Sequence, residues 1–156
     1  MKPEEELRFL ILAAQRDGER TLTELLGPLG LTPAQAEALR RLGDAGRPLT
    51  LIGLGKRLVC ERGSPSRLVR TLVERGWMLS RENPDNRREI FLTLTPKGRR
   101  LQDEVRKVED GLYGWIASRL DATEQAAAIG LLRRLVAGGD AAGAIEARKS
   151  SADASA

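Results

Sequence analysis

The chain has 156 residues and a formal net charge of +4, and it contains a single Cys and no His. This length fits one domain with a sizeable core, with or without dimerisation helices added to it, but not two full domains. The lone Cys60 excludes an intramolecular disulfide framework, and without His the commonest metal ligand and general base are missing, so we expect no metal site and no cofactor. A Gly-rich phosphate loop and a nucleophile motif are also missing, so we do not expect an enzyme.

The N-terminus gives no targeting signal. Residues 1–6 are acidic and lack a charged-then-apolar pattern, and no run of apolar residues approaches the roughly eighteen of a membrane span. We therefore expect a cytoplasmic protein without a membrane partner.

Apolar residues at helical spacing predict seven helices along the chain. The first carries three Glu in its first turn and is expected to break at Asp17-Gly18. Thr32-Pro33 and Ser64-Pro65 each provide a cap and a first helical residue, and Thr50 is the expected N-cap of the helix that follows it. The predicted helices cover about residues 4–16, 21–26, 32–42, 50–59, 64–75, 96–118 and 122–138.

After Gly76 the apolar period changes from helical spacing to two. Strands are predicted over 77–81 and 90–94, joined by the polar turn 82–88, which gives a two-stranded hairpin. From residue 140 on, large apolar residues almost disappear, and we expect a disordered tail over 140–156. The predicted fold is mainly α with a small two-stranded β-hairpin, and helices near 51–59 and 64–75 followed by that hairpin form a winged helix-turn-helix.

Positive charge is concentrated in the middle of the chain. Between Lys56 and Arg100 there are 12 Lys or Arg against 5 Asp or Glu, a net charge of +7, which leaves −3 for the remainder. A basic segment between mildly acidic ends predicts contact with a polyanion through one module, although a solvated charged surface has the same composition.

The helix after Ser64 and the hairpin carry the candidate DNA-binding side chains. Outward hydroxyls and guanidinium groups can donate to base edges or phosphates, and a basic hairpin tip suits phosphate or the minor groove. The candidates are Arg62, Ser64, Ser66, Arg67, Arg70, Thr71, Arg87 and Arg88, with Asp85 or Asn86 bracing the turn. For Arg67 and Arg70 the alternative is an ordinary solvent-facing helix, with Arg70 paired to Glu74.

Three stretches of the sequence together resemble the MarR family of transcriptional regulators: GLTPAQAEALRRL (30–42), RGSPSRLVRTLVERGW (62–77) and RENPDNRREIFLTLTPKG (81–98). The family's wing motif is Asp-x-Arg. Counting back from Leu94-Thr95 places Asn86 and Arg88 in it, whereas matching residue types selects Asp85 and Arg87, one residue earlier; we favour Arg88 as the wing-tip arginine.

The resemblance implies a homodimer that binds double-stranded, pseudo-palindromic DNA and acts as a repressor released by a small-molecule or oxidant signal. The implied organisation is N-terminal dimerisation helices over 1–30, the DNA-binding region over 31–98 and C-terminal dimerisation helices over 99–139, followed by the tail. The apolar stripe of Leu101, Val105, Val108 and Leu112 fits the dimer interface, and ordinary core packing explains it equally well.

The signal is not identified by any residue. Effectors of the family are often phenolic or other aromatic acids bound between the dimerisation helices and the DNA-binding lobe. Cys60 lies among basic residues that can lower the pKa of a thiol and favour redox sensing, but a single Cys is more often a small buried apolar residue. The alternative function for the whole chain is a winged-helix module that contacts protein and never binds DNA; the basic segment argues against it.

Overall fold

The computed structural model describes residues 1–60, 63–84 and 86–153, without the side chains of Arg87 and 149–153. Helices dominate, and one small sheet lies in the middle of the chain. The elements are α1 (Pro3–Leu26), a 3-10 helix (Gly27–Leu29), α2 (Pro33–Asp44), β1 (Leu49–Thr50), α3 (Leu51–Gly55), α4 (Pro65–Glu74), β2 (Met78–Asn83), β3 (Asn86–Leu94), α5 (Pro96–Ala117), α6 (Ala122–Val136) and α7 (Asp140–Asp153).

Helix α1 is continuous, so the predicted break at Asp17-Gly18 and the separate helix over 21–26 are wrong. A glycine inside a helix costs only about 1 kcal/mol, which one long helix can tolerate. Side-chain contacts along the helix also support this stretch. Arg20 Nη2 lies 3.3 Å from Asp17 Oδ1, and Gln15 Nε2 donates to Glu19 Oε2 at 2.8 Å. The chain thus has the single long N-terminal helix that is usual in the family it resembles.

The helix starts predicted from caps are confirmed. Thr32 and Gln35 form a capping box at α2, and the hydroxyls of Thr50 and Ser64 accept hydrogen bonds from Gly53 N and Arg67 N at α3 and α4. Helix α3 is shorter than predicted, because after Gly55 the chain continues in tight turns, with Arg57 N donating to Leu54 O and Leu58 N to Gly55 O.

The hairpin is present, but the sheet has three strands, in the order β1-β3-β2, rather than two. Leu49 and Thr50 pair antiparallel with Leu92 and Phe91. A two-residue strand shows no period, and Thr50 also serves as the N-cap of α3, so the sequence carried no separate signal for β1.

One core lies between α2, α4, the sheet and the start of α5, and we call this part of the chain the lobe. Leu39, Leu54, Leu72 and Met78 are fully buried in it, and Val105 of α5 joins them. Leu101 and Val108 pack against the same core, so these residues of the stripe pack within their own chain, whereas Leu112 is only partly buried and the dimer interface stays a prediction.

The start of α5 is fixed against the end of α4. Thr95 Oγ1 accepts from Gly98 N at 2.9 Å and donates to Gly76 O at 2.8 Å. A Cβ on Gly98 would overlap the carbonyl oxygen of Trp77, so only glycine allows this approach. The segment Leu94-Thr95-Pro96-Lys97-Gly98 therefore fixes the wing against the long helix α5.

The prediction of a structureless tail differs from the structure, in which Asp140–Asp153 form α7. Gly138 adopts a left-handed conformation with φ +81°, which reverses the chain after α6, and Ala144 is 4% exposed. Small residues were the reason for expecting disorder, but here they let α7 pack closely on the lobe. No helix within the described ranges is long and apolar enough to cross a bilayer.

Candidate nucleic-acid interface

Helix α4 has one buried face and one exposed face. Leu68, Val69 and Leu72 are buried against the core, whereas Ser66, Arg67 and Arg70 are exposed. The buried side is wholly aliphatic, and it fixes the helix so that the polar side is presented to solvent. This is the arrangement that a recognition helix requires.

The two other hydroxyls predicted on α4 are engaged within the helix. Ser64 Oγ accepts from Arg67 N at 3.4 Å as the N-cap, and Thr71 Oγ1 donates to Arg67 O at 3.1 Å. Both side chains are partly buried. Ser66, Arg67 and Arg70 therefore remain as the groups of this helix that are free to reach a ligand.

The ion pair predicted between Arg70 and Glu74 is present but weak. Arg70 Nε lies 4.0 Å from Glu74 Oε1, and the side chains are 71% and 67% exposed. A pair with this exposure stabilises by well under about 1 kcal/mol, so it does not hold the guanidinium away from a phosphate or base. Within the described part of the chain, the Arg67 side chain forms no hydrogen bond or ion pair.

The turn of the wing is braced by Asn86. Its Oδ1 accepts from Arg88 N at 3.1 Å, and the Arg88 side chain is exposed. The pairing of β2 with β3 shifts register between Glu82 and Asn83, and this bulge leads into the turn. The placement of the Asp-x-Arg motif at Asn86 and Arg88 stays a prediction. Arg62, Asp85 and the Arg87 side chain lie outside the described residues.

Two supporting residues of the interface were not predicted. Asn83 is buried, and its Nδ2 donates to Glu89 Oε2 at 3.0 Å, which ties the two strands beside the turn. Arg75 lies 5.0 Å from the centroid of the Trp77 ring and donates to Gly30 O at 3.2 Å, linking the end of α4 to the start of α2. The Arg75–Gly30 contact spans 45 positions and the Asn83–Glu89 contact crosses the hairpin, so neither follows from spacing within a single helix or strand.

A third unpredicted residue, Glu37, is the main polar group inside the lobe. It is 7% exposed, and its carboxylate accepts from Val59 N at 2.9 Å and Cys60 N at 2.7 Å. The only signal in the sequence is an acid between Ala36 and Ala38 on an otherwise apolar helix face. Cys60 itself is exposed, so it is not the small buried apolar residue that a single Cys usually is.

The exposed surface of the lobe is basic. An excess of exposed cations raises the local concentration of a polyanion and so favours contact with DNA phosphates. The exposed cations among the described residues of the lobe are Arg47, Lys56, Arg67, Arg70, Arg75, Arg81, Arg88, Lys97, Arg99 and Arg100. Among the described residues no group of three or more acidic or Cys side chains is placed to hold a metal ion.

The helices outside the lobe leave apolar side chains in solvent. Helix α6 has no buried residue, and α1 has only Leu26. Exposed apolar clusters of this size mark contact with another macromolecule. The exposed large apolar residues of these helices are Leu7, Phe9, Leu10, Ile11, Leu12, Leu25, Tyr113, Trp115, Ile116, Ile129, Leu131, Leu132, Leu135 and Val136.

A cleft lies between α3 and the turn from α6 to α7. Its volume is about 730 Å³, and it is lined by Lys56, Leu58 and Val59 on one side and by Gly139, Asp140 and Ala144 among others on the opposite side. The size and the largely apolar lining fit a small organic molecule, and the charged side chains of the lining are one cation, Lys56, and one acid, Asp140.

Comparison with known proteins shows a shared fold and a similarity to one family. The MarR family model matches residues 31–90. The multiple antibiotic resistance protein MarR of Escherichia coli is 29% identical over 128 residues, which cover 81% of this chain and 88% of that protein. A structure of mutant MarR from E. coli in complex with operator DNA has a TM-score of 0.75 at 28% identity, covering 84% of this chain and 94% of that one.

A third comparison concerns a regulator controlled by a small aromatic acid. Bordetella bronchiseptica BpsR, in a structure that concerns the regulation of its DNA binding by 6-hydroxynicotinic acid, has a TM-score of 0.72 at 24% identity. The match covers 83% of this chain and 98% of that one, and at this identity it shows a shared fold. The matched family model, the MarR relative and the winged-helix fold agree that the chain is similar to the MarR family of transcriptional regulators.

Proposed function

We propose that the protein is a repressor that binds a pseudo-palindromic DNA operator as a homodimer, through α4 and the wing, and leaves it in response to a small aromatic acid. Members of the MarR family are transcription regulators and not enzymes, in agreement with the expectation from the sequence. The observation that carries the proposal is the exposed polar side of α4, whose Ser66, Arg67 and Arg70 stand opposite a buried aliphatic face.

Each candidate side chain has a chemical role in this proposal. Arg67 and Arg70 lie on the helix that enters the major groove, where a guanidinium can donate two hydrogen bonds to guanine. Arg88 follows the Asn86 brace at the wing, where a cation contacts phosphate or the minor groove. The mutant MarR structure with operator DNA supports this placement, because its fold matches over most of both chains.

A salt titration tests DNA binding. The protein is titrated onto a labelled duplex from the region of its own gene, and the apparent Kd is followed by fluorescence anisotropy at several salt concentrations. Roughly six to eight phosphate contacts per dimer predict a slope of log affinity against log salt of roughly −5 to −7. A response that does not change with salt, or no binding at low salt, would instead favour a protein-contact module.

Arg70→Ala has a matched control in Arg20→Ala. Both arginines lie on helices, are 71% and 70% exposed, and pair weakly with an acid three or four residues away. Loss of a base or phosphate contact by Arg70→Ala raises the Kd about tenfold or more, since such a contact stabilises by about 1–3 kcal/mol. Arg20→Ala leaves the Kd unchanged. Equal effects of the two variants would mean that only the total charge matters.

The homodimer is supported by the apolar surface of α1, α6 and the end of α5. Two-fold symmetry then places the two α4 helices about 34 Å apart, one turn of the DNA helix. Insertion of half a helical turn between the two operator half-sites should abolish tight binding, whereas insertion of a full turn should weaken it less.

The cleft beside Lys56 is the proposed effector site. An aromatic carboxylate there would pair with the Lys56 ammonium while its ring contacts Leu58 and Val59, next to the turn that leads to α4. The BpsR comparison supports an aromatic acid as the signal. If the site is correct, 6-hydroxynicotinic acid or a related acid raises the Kd for DNA in the wild type but not in Lys56→Ala.

Oxidation of Cys60 is the competing signal, and a peroxide arm of the same titration separates the two. Redox sensing would replace the effector proposal if peroxide releases the wild-type protein from DNA, Cys60→Ser abolishes this release, and no acid causes release.

A further inference from the structure

Helix α7 folds back onto the DNA-binding lobe and reaches the turn before the recognition helix. Ala144 is buried on the lobe, and one turn further along, Arg148 Nε donates to Arg57 O at 3.3 Å. Arg148 Nη2 also forms an ion pair with Glu37. A side chain from the C-terminal helix therefore meets a buried carboxylate of α2.

The Glu37 carboxylate binds the backbone N–H groups of that turn. Val59 N donates to both carboxylate oxygens, at 2.9 and 3.0 Å, and Cys60 N donates to Oε2 at 2.7 Å. These two residues follow α3 and come before Ser64, the N-cap of α4. A buried carboxylate is unstable unless its charge is compensated, and the cation that compensates it here is Arg148.

We propose that Arg148 is a positioning residue for the recognition helix: by pairing with Glu37 and Arg57 O, it holds the turn between α3 and α4 and makes α7 a strap across the lobe. The effect on DNA rests on the proposed function, but the effect on the turn does not. A guanidinium suits both partners because its planar fork donates in two directions, whereas an ammonium concentrates its charge at one point.

Hydrogen exchange of single amides tests the strap in the full-length protein. In Arg148→Ala the amides of Val59 and Cys60 should exchange about tenfold faster, since a charge-assisted hydrogen bond stabilises by more than the roughly 1.4 kcal/mol that equals a factor of ten. Arg148→Lys should restore part of the protection. Backbone amides of β3 serve as the internal reference and should not change.

Arg106→Ala is the matched control, because Arg106 pairs with a different carboxylate of α2, that of Asp44, at 3.4 Å. DNA affinity is measured on the same samples, and we expect a several-fold higher Kd for Arg148→Ala, a partial return for Arg148→Lys and no change for Arg106→Ala.

Unchanged exchange of Val59 and Cys60 in Arg148→Ala would overturn the proposal, as would faster exchange spread equally over β3, which would indicate general loss of stability. Faster exchange confined to the turn, in a protein that binds no DNA in any form, would support the strap and refute the proposed function instead.

Discussion

The DNA-binding lobe and the surrounding helices differ in how far they bury their apolar side chains. In the lobe, α2, α4, the sheet and the first half of α5 bury Leu39, Leu72 and Val105 completely within one chain. In α6, by contrast, every residue from Ala122 to Val136 remains at least partly exposed, including Leu132 at 47%. The lobe therefore buries its apolar side chains within one chain, whereas α6 requires a second surface to cover them.

Helix α5 belongs to both regions and connects them. Its first half packs into the lobe, and its second half carries exposed Tyr113, Trp115 and Ile116. Between these halves, Glu109 Oε2 accepts from Arg40 Nε of α2 at 2.7 Å. Burial acts to lower the pKa of Arg40, but the hydrogen bond to Glu109 and the charges of Asp44 and Glu109 raise it overall.

The largest effect is expected inside the lobe. Leu72→Ala removes a fully buried side chain and should lower the free energy of unfolding by about 2–5 kcal/mol, measured by urea denaturation. Ile52→Ala, in the same lobe but 65% exposed, should change it by roughly 0.5 kcal/mol or less. Similar losses for both variants would contradict the division between core and surface.

The next largest effect is expected on α6. Leu132→Asp places a charge in the proposed dimer surface, which should raise the dimer dissociation constant about 100-fold, measured by analytical ultracentrifugation. Ile52→Asp makes the same chemical change on an exposed aliphatic of the lobe and should remain dimeric. A dimer that survives Leu132→Asp would place the second surface elsewhere.

The smallest effect is expected where the two regions meet. Glu109→Gln keeps an acceptor for Arg40 but removes its charge, so we expect a loss of about 1–2 kcal/mol in unfolding free energy. Asp44, 2.8 Å from Arg40 Nη1, continues to pair with it and limits the loss. A double-mutant cycle with Arg40→Met gives the coupling energy directly, and a coupling near zero would mean that the pair does not join the regions.

The sequence by itself determined most of the lobe. Caps at Thr32, Thr50 and Ser64 and the change of period after Gly76 depend on residues within four positions of each other, and the structure has each of these boundaries. The same holds for the polar side of α4, because helical spacing alone separates Ser66, Arg67 and Arg70 from the buried leucines.

Tertiary structure decided what depends on distant partners. The local sequence at Gly18 predicts a break, yet α1 continues. The penalty of one glycine, about 1 kcal/mol, is too small to interrupt a helix of 24 residues. β1 exists only through its pairing with β3, α7 is held by its contacts with the lobe, and Glu37 gains its role only when residues 22 and 111 positions away reach it. Short-range propensities predict where elements begin and end; long-range packing and charge decide which surfaces meet.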